Sequence, residues 1–135
     1  MSINFNTKFS IFIHMKTFKD YYKFPLESDS HGVYVWTADG QMAFNWLCRD
    51  NEVLRQDVLD KINGDEHLGI LSIVQRTWSI QQSSLGRVIC CDDAPVLLPR
   101  GWGMLRGIGG YNLDEETAAR IQDEFINYVV EQLNK

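Results

Sequence analysis

Asp39-Gly40 constrains this chain more than any other pair of residues, because it stands between two runs built for a β-sheet. Val33-Tyr34-Val35-Trp36-Thr37 precedes it and Met42-Ala43-Phe44-Asn45-Trp46 follows. Asp-Gly between such runs is a strong short-range hairpin signal. With Asp39 and Gly40 as a two-residue loop, Thr37 faces Met42, Val35 faces Phe44 and Val33 faces Trp46. Those six side chains then share one apolar face, with Tyr34, Trp36, Ala43 and Asn45 on the other. The turn chemistry and the hydrophobic alternation specify the same register.

The rest of the chain supplies layers for such a hairpin. Residues 50–62 place Val53, Leu54, Val58, Leu59 and Ile62 at helical spacing, with Asp50 or Asn51 to cap the start and Asn63-Gly64 to end it. Residues 66–82 fit a helix through Leu68, Leu71, Val74 and Trp78, or a strand through Val74, Trp78 and Ile80. The turn at 83–86 favours a strand for 73–81. Arg87-Val88-Ile89-Cys90-Cys91, a turn at Asp92-Asp93-Ala94 and Val96-Leu97-Leu98 continue a meander, in which Pro99 marks a strand end or an edge. A last helix over 113–133 starts with a capping oxygen at Asn112 and acids at Asp114, Glu115 and Glu116. Ala118, Ile121, Phe125, Tyr128, Val129 and Leu133 form its apolar stripe. Residues 3–13 alternate with Ile3, Phe5, Phe9, Ile11 and Ile13 on one side, a further strand signal. Met15 is a second possible start, so residues 1–14 read as a dispensable extension.

No βαβ alternation occurs. The expected fold class is therefore α+β: a mainly antiparallel sheet of hairpin 33–47 and meander 73–105, packed with helices 50–62 and 113–133. One domain over residues 1–135 is expected, since seven Phe, five Tyr and four Trp in 135 residues are ample for a core. Cys48, Cys90 and Cys91 are odd in number and irregularly spaced, which suits buried thiols in a reducing compartment rather than a disulfide framework. No run reaches the roughly 20 apolar residues of a membrane span. Together these lead to an expected cytoplasmic location and no membrane partner.

Chemistry-bearing motifs are few. His14, His31 and His67 form no metal-ligand spacing, nothing resembles a nucleophile elbow, and Cys48 with Asp50 or Asp29 with His31 are pairs that chance supplies. No catalytic residue, metal or cofactor is expected. The segment 100–110 holds five of the ten glycines, and Arg100, Trp102 and Arg106 are its candidate ligand-binding side chains: arginine offers a fork and tryptophan a stacking face. It has neither Gly-Lys-Ser/Thr nor a well-placed Gly-x-Gly-x-x-Gly, and the acids opening the next helix would repel a phosphate. The pattern favours a glycine-kinked connection over a binding loop. Tyr34 and Trp36, on the hairpin face the core does not claim, are a candidate partner surface.

Net charge is −5, divided as +3 over residues 1–26 and −8 over the remainder. Lysines interleaved with aromatics over 16–24 carry a weaker reading, single-stranded nucleic-acid binding. The acidic balance argues against nucleic acid as the partner.

Val96-Leu97-Leu98, then Arg100-Gly101-Trp102-Gly103-x-Leu105, then Ala118-Ala119-Arg120-Ile121-Gln122-Asp123-Glu124-Phe125 together resemble the C-terminal half of small uncharacterised phage and prophage proteins. Weaker echoes occur at 34–39 and 62–64. The chain departs from that pattern at Pro99 and in its long N-terminal extension. The resemblance implies a bacterial or phage origin and a cytoplasmic location, and it brings no catalytic residues. The expected function is that of a non-enzymatic accessory protein that binds an unidentified protein partner or a second copy of itself. The alternative is a small ligand-binding or enzymatic domain using 100–110.

Overall fold

The hairpin forms, but around a longer loop that changes which side chains share a face. β2 (Tyr34–Trp36) and β3 (Met42–Trp46) pair antiparallel, with Val35 opposite Phe44 and Tyr34 opposite Asn45. The loop is not the two residues expected. Thr37 N donates to Gln41 O at 2.7 Å and Gly40 N donates to Thr37 O at 3.0 Å, so three residues span the turn and Gly40 takes a φ of +87°. Such a turn suits the strand twist and needs glycine at its left-handed position. Asp39 Oδ1 fixes it by accepting from Thr37 Oγ1 at 2.5 Å. The extra loop residue shifts the register between Val35 and Trp36, so Trp36 pairs with Met42 and not Thr37 with Met42. Ala43 becomes a bulge and is buried, while Met42 joins Trp36 on the opposite face.

The computed structural model describes residues 16–48, 51–65 and 76–135. The expected strand over 3–13, and residues 66–75 of the segment that fitted either helix or strand, lie outside them. The described part of that segment is strand: β4 (Trp78–Ser83) pairs with β5 (Gly86–Cys91), which pairs with β6 (Ala94–Pro99). The turn between β5 and β6 places both Asp92 and Asp93 at positive φ, +49° and +74°. Short acidic side chains tolerate that conformation.

A two-residue strand that periodicity does not reveal, β1 (Glu27–Ser28), completes a six-stranded antiparallel sheet of order β1-β2-β3-β6-β5-β4. Three helices accompany it: α1 (Glu52–Ile62), α2 (Trp102–Arg106) and α3 (Glu115–Leu133). The fold is α+β, as the alternation and helix stripes predict. The meander is shorter than 73–105, because strand pairing stops at Pro99 and residues 102–106 are helical.

The capping of α3 also differs from the sequence expectation. Asn112 takes a φ of +51°, and Asp114 Oδ2 accepts from Thr117 N at 3.1 Å. Asn51 caps α1 by accepting from Leu54 N at 2.9 Å.

Each half of the sheet is a three-stranded meander followed by a long helix, and each helix ends in an asparagine that grips its own meander. Asn63 Oδ1 accepts from Leu26 N at 2.8 Å, and its Nδ2 donates to Leu26 O at 2.9 Å. Asn134 does the same to Trp78 N and Trp78 O, both at 2.9 Å. A side-chain amide here imitates one rung of a β-ladder. Alanine at either position strands a backbone donor and acceptor. Asn63→Ala and Asn134→Ala are each expected to cost about 2–4 kcal/mol in a urea titration. A loss below about 0.5 kcal/mol would show that water replaces the amide.

The core lies between the sheet and the helices α1 and α3. Phe125 is fully buried, stacked on Tyr22 at 3.8 Å between centroids and on Phe44 of β3 at 5.2 Å. The 3-10 turn Phe18–Asp20 brings Phe18 against Tyr128, and Phe24 packs on the same two α3 rings. The aromatics of 16–24 therefore serve the core. Arg87 Nη1 of β5 meets Asp123 Oδ1 of α3 at 2.7 Å. Lys61 of α1, with Nζ 3.4 Å from Leu133 O, places a cation at the C-terminal end of α3, which has no basic residue in its own last turn.

Two carboxylates tie stability to pH. Burial alone would push the Asp29 carboxyl up, but hydrogen bonds from the N–H groups of Val33, Tyr34 and Gly32, with His31 nearby, hold it below its ordinary value. The capping bonds from Thr117 do the same for Asp114. Groups with depressed values stabilise the fold above their unfolded pKa, near 3.8, and lose that contribution as pH falls through the folded value. The urea midpoint is expected to drop as pH goes from about 4 to 2. The Asp29→Asn, Asp114→Asn double variant should drop less steeply, and an unchanged slope would reject the assignment.

Candidate binding site beside the glycine-rich segment

The bulge at Ala43 positions the first candidate residue. Ala43 O accepts from Arg100 N at 2.9 Å, holding the chain against β3 one residue past the end of β6. Arg100 O in turn accepts from the buried Tyr22 Oη at 3.1 Å. The chain then turns through Gly101 at φ +107°. An added Cβ there would lie 2.9 Å from Tyr22 Cε1 and Cζ and closer still to Oη, so only glycine fits over this ring. Leu105 is fully buried and anchors α2, while Trp102 points outward.

The rest of the segment folds back on the helix. Tyr111 N donates to Met104 O at 2.9 Å, Leu113 N to Leu105 O at 2.8 Å, and both Gly110 N and Asn112 N to Gly107 O at 3.0 Å. Ile108 sits at the tip of this pinned turn and is 90% exposed. Trp102 and Tyr111 are each 40% exposed, and the Tyr111 ring meets Tyr21 edge-on at 4.7 Å.

Arg100 and Trp102 line one cavity of about 340 Å³, together with Gln41 at the end of the hairpin turn, Met42 of β3, Met104 of α2 and Gln122 of α3. None of its described lining residues is acidic. Arg100 Nη1 donates to Asn45 Oδ1, which orients the guanidinium. Arg106 does not line this cavity. It is exposed in the last turn of α2.

Tyr34 and Trp36 prove to be neighbours of this site. Trp36 pairs with Met42, which lines the cavity, and Tyr34 pairs with Asn45, which holds Arg100. Residues opposite one another in a ladder share a face. The two rings lie 5.5 Å apart and both are half-buried, so they form a shallow aromatic patch rather than protruding anchors, and neither lines the cavity itself. The two candidate surfaces thus adjoin through Met42 and Asn45.

Sequence reasoning misses Met42 and Gln122 because one needs the bulge and the other lies on a distant helix. Ile108 and Tyr111 were within reach: apolar residues beside glycines have no stripe to join. A second concavity of about 430 Å³, between β1 and α1, is edged by Glu27, Asp29, Glu52, Asp60 and Asp65 with Arg55 among them. Asp29 closes its own loop there, with Oδ1 accepting from Val33 N and Tyr34 N. Cys90 and Cys91 are buried and Cys48 is half-buried; burial pushes all three thiols up, which keeps them protonated. Among the described residues no group of three or more His, Cys, Asp or Glu could hold a metal ion, and no helix is long and apolar enough to cross a membrane.

The architecture is thus an α+β fold with a six-stranded antiparallel sheet, an arginine-bearing cavity and a pair of aromatic rings on the strand beside it. Compared with known proteins, the chain matches no family model, no curated protein and no solved structure.

Proposed function

We propose that this protein acts by binding a partner protein through the edge formed by α2 and the turn that follows it. It works in the cytoplasm as a non-enzymatic accessory protein of the phage or prophage type, a placement that the resemblance of the Arg-Gly-Trp-Gly segment supports. One observation carries the binding role. Three of the five exposed large apolar side chains among the described residues, Trp102, Ile108 and Tyr111, fall within ten residues of one another.

An isoleucine 90% in water adds nothing to folding. Backbone hydrogen bonds hold it in place, so little freedom is lost when a partner covers it. Tryptophan, tyrosine and arginine are the side chains that most often anchor interfaces, and all three lie along this edge.

The test is the variant Ile108→Asp. Ile108 is 90% exposed and lines no part of the cavity, so the melting temperature should stay within about 2 °C of the parent. Affinity for the protein that the parent captures, or for a second copy in sedimentation, should fall at least about tenfold. A parent that stays monomeric and captures nothing the variant loses would overturn the reading.

The cavity beside Arg100 favours a second reading, a domain that takes a small ligand on Arg100 and Trp102. It predicts a ligand-induced rise in melting temperature that Arg100→Gln abolishes. A screen of anionic and aromatic compounds with no such rise would dismiss it.

A further inference from the structure

We infer that the cavity beside Arg100 is a subsite for a carboxylate joined to a flat apolar group. The inference deepens the partner-binding reading and rests on it, by stating what the partner presents. Arg100 is the one cation among the described lining residues, and no acid among them neutralises it. Asn45, a neutral acceptor, orients the guanidinium without cancelling its charge. Trp102, which also lines the cavity, is 40% exposed, with Met42 and Met104 as further apolar lining. Gln41 and Gln122 add neutral amides that can donate to a second oxygen.

The chemistry selects among anions. Phosphate sites usually gather several cations or a row of backbone N–H groups, whereas one planar fork matches the two oxygens of a carboxylate. The stacking face of Trp102 and the two thioethers suit a phenyl-sized group beside that carboxylate. A volume of about 340 Å³ admits a side chain of this size and not a folded element. The chain as a whole is acidic, at −5, so an acidic ligand finds its attraction at this edge rather than over the general surface. A chain terminus or acidic side chain of a protein, and a free aromatic acid, present the same group.

NMR titration of the whole protein separates these sources. The probes are N-acetylphenylalanine for a chain terminus, N-acetyl-aspartyl-phenylalaninamide for an acidic side chain, and phenylacetate for a free acid. N-acetylphenylalaninamide is the uncharged control. The expected result is a shift of the Trp102 indole N–H, assigned through Trp102→Phe, and of the Gln41, Met42 and Gln122 amides. The acids should bind at least about tenfold more tightly than the control, and Arg100→Gln should remove that difference.

Tighter binding of either peptide acid assigns the site to a protein partner, and tighter binding of phenylacetate assigns it to a free acid. Equal binding of control and acids, an unaltered preference in Arg100→Gln, or no shift up to about 20 mM would overturn the inference. That failure is distinct from failure of the partner-binding reading, which is decided at Ile108, outside the cavity.

Discussion

Phe125→Ala is expected to be the most damaging single substitution, lowering stability by about 3–5 kcal/mol. Phe125 is fully buried, and its ring meets Phe18, Tyr22, Phe24 and Phe44. Truncation removes apolar burial and leaves a void walled by rings that cannot all close in. It also removes the parallel stack on Tyr22, at 3.8 Å and 4°, and aromatic pairs add about 0.5–1.5 kcal/mol each beyond their area. For a chain of this length the thermal midpoint should fall by about 10–15 °C. Phe125→Leu, which keeps most of the volume, should lose about half as much. If alanine cost less than about 1.5 kcal/mol, the five rings would not be one packed unit.

Gly101→Ala is expected to cost about 2–4 kcal/mol and to disturb the binding edge as well. A φ of +107° strains any L-residue, and the added methyl would press on a Tyr22 ring already clamped against Phe125. Relief must come from moving Arg100 and Trp102, so the cavity should change shape. The amide signals of Met42 and Gln122 report that movement, and thermal melting reports the cost. Gly103→Ala is the matching control. It lies in α2 with nothing within 4 Å of an added Cβ, so it should stabilise by a few tenths to about 1 kcal/mol. Equal effects at the two positions would refute the close approach of Tyr22 to the loop.

Tyr22 shows why the site is harder to read than the fold. Burial pushes its phenol well above the usual tyrosine range, while the side-chain hydrogen bond with Gln122 works the other way. The phenol stays protonated and goes on donating to Arg100 O throughout the neutral range. In the sequence Tyr22 sits among lysines and resembles a stacking residue. Only contact with Phe125, about a hundred positions away, makes it the support beneath the glycine loop. Met42 is similar: a two-residue turn would put it in the core, whereas the three-residue turn puts it beside Arg100.

The features legible along the chain are local and periodic. The alternation around Asp39-Gly40, the Asn51 cap of α1, the stripes of α1 and α3, and the turns at 83–86 and 92–94 arise from backbone preference and from burying one face of each element. Those terms depend on neighbours a few positions apart, so residue order is enough to reveal them. The joining of β3 to β6, the two asparagine clasps and the placing of Tyr34 opposite Asn45, which holds Arg100, emerge only when the chain is packed. Each depends on a contact between residues distant in the chain. Such contacts form because the packed core fixes positions, and local propensity carries no record of them.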